Sequence, residues 1–287
     1  MIIHNIGIVG QGFVGSAVKT SLSKYYSVHT FDTNKEKSCC DSLNELISIS
    51  DLIFVCLPTP MKRSGECDIS LVEETLSNIS KTTHIHQLPV LIKSTVPPGT
   101  CENLSVKYNN LNIIFNPEFL TEANAVEDYM NQKRVILGVG DGDSTGVFGI
   151  FNKAFPTATI IKTKRTVAEM VKYVTNCFLS VKVSFANEMY EICDKLGVDY
   201  DKVIEYAKYD NRLGYSHWNV PGPDGHFGYG GHCFPKDIAA LKYVANKNSI
   251  DSIIIDAAIA KNDKVRQERD WEKQIGRAVV KDFNQKE

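Results

Sequence analysis

The sequence lacks the features that mark membrane, disordered and strongly charged proteins. No apolar run reaches the roughly 18 residues that a bilayer span requires. The 32 Lys and Arg nearly balance the 34 Asp and Glu, so no bulk electrostatic attraction to nucleic acid or to a membrane surface is expected. A hydrophobic fraction of 43% is too high for a disordered chain. These absences predict an ordinary globular protein.

The eight cysteines also lack a recognisable pattern. No Cys-x-x-Cys pair occurs, so a structural zinc site lacks its usual ligand spacing, and we predict no metal site. Cys56, Cys177 and Cys193 lie in apolar stretches and are interpreted as small buried hydrophobes. The amino-terminal residues have neither the basic start nor the cleavage site of a signal peptide. We therefore expect a cytoplasmic protein with reduced thiols.

A length of 287 residues suggests two domains, and the first half begins with a nucleotide-binding pattern. The apolar run Ile6–Val9 is followed at once by a glycine-rich turn and then by a helical pattern. In such a turn Gly10 permits the tight bend, Gly12 lets a pyrophosphate approach the backbone, and Gly15 lets helix and strand pack closely. The helix start would present N–H groups to the phosphates. The residues predicted to contact the dinucleotide here are Gly10, Gly12, Phe13, Val14 and Gly15.

A second predicted strand, Val28–Phe31, ends in an acidic residue, Asp32. This carboxylate would accept hydrogen bonds from the adenosine ribose hydroxyls, and its charge would repel a 2′-phosphate, which favours NAD over NADP. Further strands are predicted at residues 52–57, 89–93, 112–115 and 134–139. The alternation of strands and helices is typical of an α/β fold with a Rossmann-type doubly wound, mostly parallel sheet. We place this NAD-binding domain at residues 1–163.

Polar residues follow several predicted strands, at the edge where open α/β sheets bind ligands. Thr95 follows the fourth strand. After the fifth, Asn116 is interpreted as a helix N-cap with Pro117 at the first helical position. Glu118 and Glu122 would then lie one turn apart on one helical face. Turn formation explains the prolines here, whereas structural and functional interpretations both stay open for Thr95 and the glutamates.

From about Thr166 the pattern changes to one long helix that ends near Leu196, with Gly197 as its C-cap. Lys172 and Asn176 share one face of this helix, since they are four residues apart. A solvated lysine and an ordinary asparagine remain the alternative interpretation. We assign residues 164–287 to this connecting helix and a smaller all-α domain, and we expect a homodimer.

The most informative segment is a Gly- and Pro-rich loop from Arg212 to Cys233. A helix that begins near Pro235 follows it, so the thiol lies at a helix N-terminus beside Lys236. The helix dipole and the ammonium group should lower the thiol pKa and favour the thiolate. Such a loop favours a nucleophilic cysteine over a packing role. The charged tail, residues 267–287, is predicted to form a capping helix.

Seven short sequence motifs follow one another over about residues 5–265. They are Gly10-Gln-Gly-Phe-Val-Gly15, Leu57-Pro-Thr-Pro60, Ser94-Thr-Val-Pro97, Asn116-Pro-Glu-Phe-Leu-Thr-Glu122, Lys172-x-x-x-Asn176, Asn211-Arg-Leu-Gly214 and Gly230-Gly-His-Cys-Phe-Pro-Lys-Asp237. In these motifs the chain resembles the UDP-glucose/GDP-mannose dehydrogenase family, which oxidises nucleotide sugars at C6. The resemblance implies an NAD-dependent enzyme that converts UDP-glucose to UDP-glucuronate. The family normally has a third, carboxy-terminal domain that binds much of the nucleotide, and we expect a short form without it.

The resemblance also implies roles for individual residues. Oxidising a primary alcohol to a carboxylate uses NAD⁺ twice, through a thiohemiacetal and then a thioester on Cys233. Lys172 and Asn176 would stabilise the oxyanions. The groups that would position water and handle protons are Glu118, Thr95 and Asp237. Further NAD contacts would be Asp32, Lys37, Thr59, Thr95 and Glu122. The sugar would contact Phe119, Leu120, Lys172, Asn176, Phe227, Gly228, Gly230 and Gly231, and Arg212 would reach the substrate of a dimer partner.

Two other functions are compatible with parts of this pattern. A β-hydroxyacid dehydrogenase has a related two-domain fold and a helical Lys-x-x-x-Asn pair, but it transfers one hydride and needs no cysteine. A non-catalytic protein that binds NAD or a nucleotide sugar and assembles with a full-length enzyme is the second alternative. The sugar also stays open, because Gly231-His-Cys233 resembles the N-acetylhexosamine branch while Pro235-Lys-Asp237 resembles the UDP-glucose and GDP-mannose branches.

Overall fold

The computed structural model describes residues 2–283 of the chain. Its contacts divide the chain into two compact units. The first comprises Met1–Thr59 and Ile69–Lys172, and the second comprises Pro60–Asp68 and Tyr173–Glu287. The second unit therefore includes a short segment from the first half of the sequence, and no single position separates the units.

The first unit is built on a seven-stranded sheet. Its strands are β1 Asn5–Val9, β2 Ser27–Phe31, β3 Leu52–Val55, β4 Leu88–Ile92, β5 Leu111–Phe115, β6 Arg134–Val139 and β7 Thr159–Lys164. In space they follow the order β2-β1-β3-β4-β5-β6-β7. Neighbouring strands are parallel except β5 and β6, which are antiparallel. The chain order reverses at β1, and open sheets bind ligands beyond the carboxyl ends of the strands at such a reversal.

Helices cover both faces of this sheet. Those that precede β7 are α1 Phe13–Leu22, α2 Leu43–Ile49, α3 Ser70–Thr82, α4 Thr100–Lys107, α5 Ala125–Met130 and α6 Thr145–Ala154. Alternate residues of one strand enter two different cores, because Ile53 and Val55 belong to one cluster and Phe54 to the other. Every residue of β3, β4 and β5 is buried, as expected for a parallel sheet between helical layers. The predicted doubly wound α/β fold is confirmed, and β7 is a strand that the pattern did not predict.

The segment after β5 differs from its prediction. Residues 116–122 form no helix. The Asn116 side chain accepts a hydrogen bond from Lys93 Nζ at 2.8 Å and donates to a backbone carbonyl of β6 at 2.9 Å, so its amide is engaged within the sheet and caps nothing. The interpretation of Asn116 as an N-cap is therefore wrong. Glu118 is buried and Glu122 is exposed, so they do not share a helical face.

The described part of the second unit is mainly helical. Its first helix, α7, spans Arg165–Leu196 and starts in the first unit. Gly197 follows the last helical residue and has a φ of +67°. There the Gly197 N–H bonds to the Asp194 carbonyl and the Val198 N–H to the Cys193 carbonyl, a Schellman pair that confirms the predicted C-cap. The helices that follow are α8 Tyr200–Ala207, α9 Phe234–Lys247 and α10 Ile253–Val265.

The tail is not the capping helix predicted for residues 267–287. In its described part, Asp270–Lys273 form a short 3-10 turn and Val279 forms a bridge with Met61. The Met61 N–H donates to the Ala278 carbonyl oxygen at 2.8 Å and the Val280 N–H to the Met61 carbonyl oxygen at 3.0 Å, so this part of the tail pairs with a segment distant in the sequence. The helix prediction is therefore wrong up to residue 283, and residues 284–287 lie outside the described part.

The described residues show neither a membrane-spanning helix nor a disulfide. Among residues 2–283, no helix has both the length and the apolar composition that a bilayer span requires. All eight cysteines lie within this range, and none of them forms a disulfide.

Candidate active site

The glycine-rich turn has the steric properties that a dinucleotide requires. At Gly10 φ is +90°, and a Cβ would lie 2.4 Å from the Cys56 carbonyl oxygen. A Cβ at Gly15 would lie 1.9 Å from the Gly10 carbonyl oxygen, so helix α1 packs against the turn only without a side chain there. At Gly12, the N-cap of α1, a Cβ would meet nothing within 4 Å. Open space in front of that helix N-terminus fits the approach of a pyrophosphate.

The acid that ends β2 is bonded to the same turn. Asp32 Oδ2 accepts the Gln11 N–H at 2.6 Å, and Oδ1 accepts the Asn34 N–H at 2.8 Å. The carboxylate is therefore held beside the glycine turn, and each oxygen keeps a lone pair for a ribose hydroxyl. The residues present thus fit the adenosine half of NAD as well as its pyrophosphate.

Two threonines lie at the carboxyl ends of adjacent strands. Thr59 Oγ1, after β3, donates to the Thr95 carbonyl oxygen, after β4, at 2.7 Å. Both residues are buried, whereas Lys37 and Glu122, two further proposed NAD contacts, are exposed. The structure thus brings Thr59 and Thr95 together at the predicted edge of the sheet.

A buried ion pair joins the irregular segment after β5 to helix α7. Lys172 Nζ lies 2.8 Å from Glu118 Oε1 and donates to the Glu118 carbonyl oxygen at 2.7 Å. The Leu120 N–H donates to the other carboxylate oxygen at 2.8 Å. The Phe119 ring centroid lies 5.5 Å from Lys172 Nζ. Lys172, for which a solvated position was the alternative interpretation, is buried among predicted site residues.

The carboxyl group of Glu118 is held in its ionised form. Burial alone would raise its pKa. The charge and hydrogen bond of Lys172, the Leu120 N–H and the charge of Lys93 outweigh burial and hold the pKa below its usual value. The group therefore accepts protons or orients water at neutral pH and does not serve as an acid.

Lys93 is a buried lysine that the sequence interpretation missed. It follows β4, bonds to Asn116 and lies over the Tyr129 ring at 5.1 Å. Burial lowers its pKa to about 8, although the Cys56 and Glu118 side chains act in the opposite direction. The signal was a single lysine at the end of an otherwise apolar strand, Leu-Pro-Val-Leu-Ile-Lys93.

In the second unit the buried carboxylate of Asp237 bonds to side chains from two predicted site regions, helix α7 and the start of helix α9. Asp237 Oδ2 accepts from Asn176 Nδ2 at 2.6 Å, and Oδ1 accepts from Lys236 Nζ at 2.5 Å. All three side chains are buried. Burial would lower the pKa of Lys236, but the Asp237 charge and the Cys233 and Cys67 side chains outweigh it and raise the pKa well above its usual value. Lys236 is therefore a fixed cation at the start of α9.

Cys233 is the N-cap residue of α9, and its thiol is half-buried. Pro235 lies in the first turn of the helix, as predicted. Asp237 follows Cys233 by one turn, since the Asp237 N–H donates to the Cys233 carbonyl oxygen at 3.0 Å. The thiol thus lies at the positive end of a helix and near the Lys236 ammonium, which are the two conditions that stabilise a thiolate.

The loop that leads to Cys233 is fixed by the segment after it in the sequence. The Gly231 N–H donates to Asp270 at 2.9 Å. A Cβ at Gly230 would lie 2.2 Å from the Arg266 guanidinium, and a Cβ at Gly228 would lie 2.3 Å from Asn262. The glycines therefore allow close packing of the loop backbone against α10 and the tail.

Two other proposed substrate residues in this unit are exposed. The Phe227 ring lies 5.5 Å from the Tyr190 ring. Arg212 projects from a 3-10 turn, with its side chain 89% exposed, and pairs with Asp210 at 2.5 Å.

Sequence comparison matches both halves of the chain to one family. Residues 39–153 match the NAD binding domain of the UDP-glucose/GDP-mannose dehydrogenase family, and residues 166–264 match its central domain. A UDP-glucose 6-dehydrogenase of Rickettsia bellii is 37% identical over 254 residues, which are 85% of this chain and 56% of that protein. The chain spans about half the length of the curated relatives it matches.

Solved structures with the same fold include two classes of dehydrogenase. A UDP-glucose dehydrogenase from the archaeon Pyrobaculum islandicum has a TM-score of 0.82 and 26% identity, covering 91% of this chain and 68% of that one. A 3-hydroxyisobutyrate dehydrogenase of Mycobacterium tuberculosis has a TM-score of 0.74 at 16% identity, covering 92% and 94%. The second likeness shows the fold alone.

The sheet order, the glycine turn and the acid that ends β2 define a Rossmann-type dinucleotide-binding protein. The chain belongs to the UDP-glucose/GDP-mannose dehydrogenase family. NAD is the cofactor of its first unit.

Proposed function

We propose that the chain acts as an NAD-dependent nucleotide-sugar 6-dehydrogenase, with UDP-glucose as substrate and UDP-glucuronate as product. The observation that carries the proposal is the placement of Cys233 at the N-cap of α9, one turn before a carboxylate that Asn176 and Lys236 hold. A dehydrogenase that stops at an aldehyde or ketone needs no such nucleophile, whereas a four-electron oxidation does.

The cysteine explains how an alcohol becomes an acid. When NAD⁺ is bound, it accepts one hydride in each of two oxidations. The Cys233 thiolate adds to the aldehyde carbon, and the carbonyl oxygen takes a proton to give a thiohemiacetal. Loss of a hydride and a proton leaves a thioester, which water cleaves to the acid and the free thiol. Overall, one alcohol, two NAD⁺ and one water give one carboxylate, two NADH and three protons.

Five polar side chains have proposed roles in this chemistry. Lys172 is the cation that would stabilise negative oxygen, and ionised Glu118, with Thr95, would orient water or accept a proton. Asn176 would donate to developing oxyanions, and Asp237 would handle protons. The proposed NAD contacts are Gly10, Gly12, Phe13, Val14, Gly15, Asp32, Lys37, Thr59, Thr95 and Glu122.

The sugar contacts are proposed from the same resemblance. The proposed sugar contacts include Phe119, Leu120 and the backbone from Phe227 to Gly231. Exposed Arg212 would serve the substrate of a partner subunit in a homodimer. Because Arg212 is already paired with Asp210, substrate phosphates would have to compete with that carboxylate.

The test is the stoichiometry of NADH formation by the chain with NAD⁺ and UDP-glucose. We expect two NADH per UDP-glucuronate and no acid product from Cys233→Ser. Cys193→Ser is the matched control, because it removes a thiol that packs in the core of the second unit. Its stoichiometry should equal that of the unmodified chain.

Two outcomes would replace the proposal. One NADH per molecule of a small hydroxy acid, unchanged in Cys233→Ala, would identify a β-hydroxyacid dehydrogenase. NAD⁺ binding without turnover of any sugar nucleotide would identify a non-catalytic binding protein.

A further inference from the structure

Three side chains that favour soft metal ions lie together beside the cofactor-binding loop. They are His29 of β2 and the adjacent Cys39 and Cys40, and their ligand atoms all lie within 4.8 Å of one another. His29 is half-buried, Cys39 is exposed and Cys40 is buried. The proposed dehydrogenase chemistry uses none of them.

Backbone hydrogen bonds hold the two cysteines against β2. The Cys39 and Cys40 N–H groups both donate to the Thr30 carbonyl oxygen at 3.1 Å. In return the Thr30 N–H donates to Cys39 Sγ at 2.9 Å. Because His29 precedes Thr30 in the strand, the same bonds fix the cysteines next to the imidazole. A site that is arranged before its ligand arrives loses less entropy on binding.

We propose that His29, Cys39 and Cys40 bind a thiophilic metal ion such as Zn²⁺, with water as the fourth ligand. Thiolate and imidazole ligands suit Zn²⁺ and not Mg²⁺ or Ca²⁺, which prefer oxygen. With Zn–S about 2.3 Å and Zn–N about 2.0–2.1 Å, tetrahedral ligands lie roughly 3.5–3.8 Å apart. Side-chain movements of about 1 Å therefore close the site. Both thiols release their protons to solvent on binding.

Charged groups near the cysteines act in both directions. Asp41 and Glu45 add negative potential at Cys40, which favours a cation. Lys19 acts on Cys39 in the opposite sense. Two nearby carboxylates against one ammonium leave a net negative local charge before the thiols lose their protons, which favours a cation.

The site is continuous with the loop that follows Asp32. The Asp32 N–H donates to Ser38 Oγ at 2.6 Å, and Thr30 Oγ1 donates to the Lys37 carbonyl oxygen at 3.1 Å. A metal at Cys39 would fix the end of this loop. Resting on the proposed role of Asp32, we expect the metal and NAD⁺ to change each other's affinity by the same factor.

The test is Zn²⁺ binding to the metal-free chain by equilibrium dialysis. We expect one Zn²⁺ per chain and at least about tenfold weaker binding in Cys39→Ser, Cys40→Ala and His29→Gln. Cys193→Ser and Cys233→Ser should bind Zn²⁺ as the unmodified chain does, and the second variant excludes zinc at the proposed catalytic thiol. Because Cys39 is exposed, Cys39→Ser keeps the fold, which circular dichroism checks.

The absorption spectrum of the Co²⁺-loaded chain is a second measurement, and it reports direct bonds between thiolate and metal. Co²⁺ in the site should show thiolate-to-metal charge-transfer absorption that Cys39→Ser weakens. Failure of the chain to bind Zn²⁺, or undiminished binding by the three variants, would overturn the proposal. Zinc binding with unchanged NAD⁺ affinity would overturn only the coupling.

Discussion

Lys172 holds Glu118 by two oxygens, the carboxylate at 2.8 Å and the backbone carbonyl at 2.7 Å. The two side chains are only 3% and 6% exposed. The lysine belongs to α7 and the glutamate to the irregular segment after β5, so this contact fixes that segment as well as the charge. Removing one partner of a buried ion pair destabilises a protein far more than replacing both partners with apolar residues of similar volume.

We expect Lys172→Met to destabilise the chain by about 3–5 kcal/mol, because it leaves a buried carboxylate without its cation. The pKa of Glu118 should rise, since burial then dominates over the remaining favourable contacts. The double variant Lys172→Met/Glu118→Gln should recover part of the loss. Urea denaturation measures the free energy of unfolding of the unmodified chain and of both variants. Equal stability of the single and the double variant would contradict the expected coupling between Lys172 and Glu118.

An exposed pair on the same unit is the control for that experiment. Lys107 lies 3.4 Å from Glu73, with both side chains largely in solvent. Lys107→Met should leave the urea midpoint nearly unchanged, because exposed ion pairs contribute little.

The buried Lys93 predicts an unusual dependence of stability on alkaline pH. Its folded-state pKa is about 8, below the value of about 10.4 for an unfolded lysine. Between these values the unfolded chain binds more protons, so stability rises with pH across this window. Relative to Lys93→Met, the unmodified chain should gain on the order of 2–3 kcal/mol from pH 8 to 10.4.

The difference between the two chains is the informative quantity, since other groups titrate in the same range. Urea denaturation at several pH values gives it. A difference that stays constant would mean that Lys93 keeps its proton in the folded chain.

Much of the first unit could be predicted because its strands are buried on both faces. Apolar runs such as Leu52–Val55 stand out for that reason. Strand Thr159–Lys164 was missed because most of its residues are exposed or polar. Asn116 was misread for another reason. Its residue type fits a helix cap, but Lys93, which follows the neighbouring strand β4, bonds to its side chain. Local sequence patterns do not reveal such partners.

Local sequence patterns also predicted only part of the proposed functional residues. The position of Cys233 before a helix followed from Pro235 and the glycine loop, which are local signals. The metal-ligand group of His29, Cys39 and Cys40 escaped notice because its spacing matches no zinc motif. Only the pairing of the segment after Asp32 with β2 brings the three together.

Two substitutions in the glycine turn should separate folding from cofactor binding. Gly15→Ala places a Cβ 1.9 Å from a backbone oxygen, so both stability and NAD⁺ affinity should fall. Gly12→Ala meets open space, so stability should change little while NAD⁺ affinity falls at least about tenfold, because the pyrophosphate needs that space. Thermal denaturation and calorimetric NAD⁺ titration measure the two effects. Unchanged NAD⁺ affinity in Gly12→Ala would place the pyrophosphate elsewhere.

The reactivity of Cys233 should depend on the ammonium group of Lys236. The two side chains interact electrostatically, and the lysine is kept charged by Asp237. Removing a nearby cation disfavours the thiolate, so Lys236→Met should raise the apparent pKa for alkylation of Cys233 by about one unit or more. Iodoacetamide labelling across a pH series, followed at the Cys233 peptide by mass spectrometry, measures this. Lys247→Met, at the far end of the same helix, removes an equal charge and should leave the profile unchanged. If both variants gave the profile of the unmodified chain, the helix N-terminus alone would account for the thiolate and Lys236 would act only on Asp237.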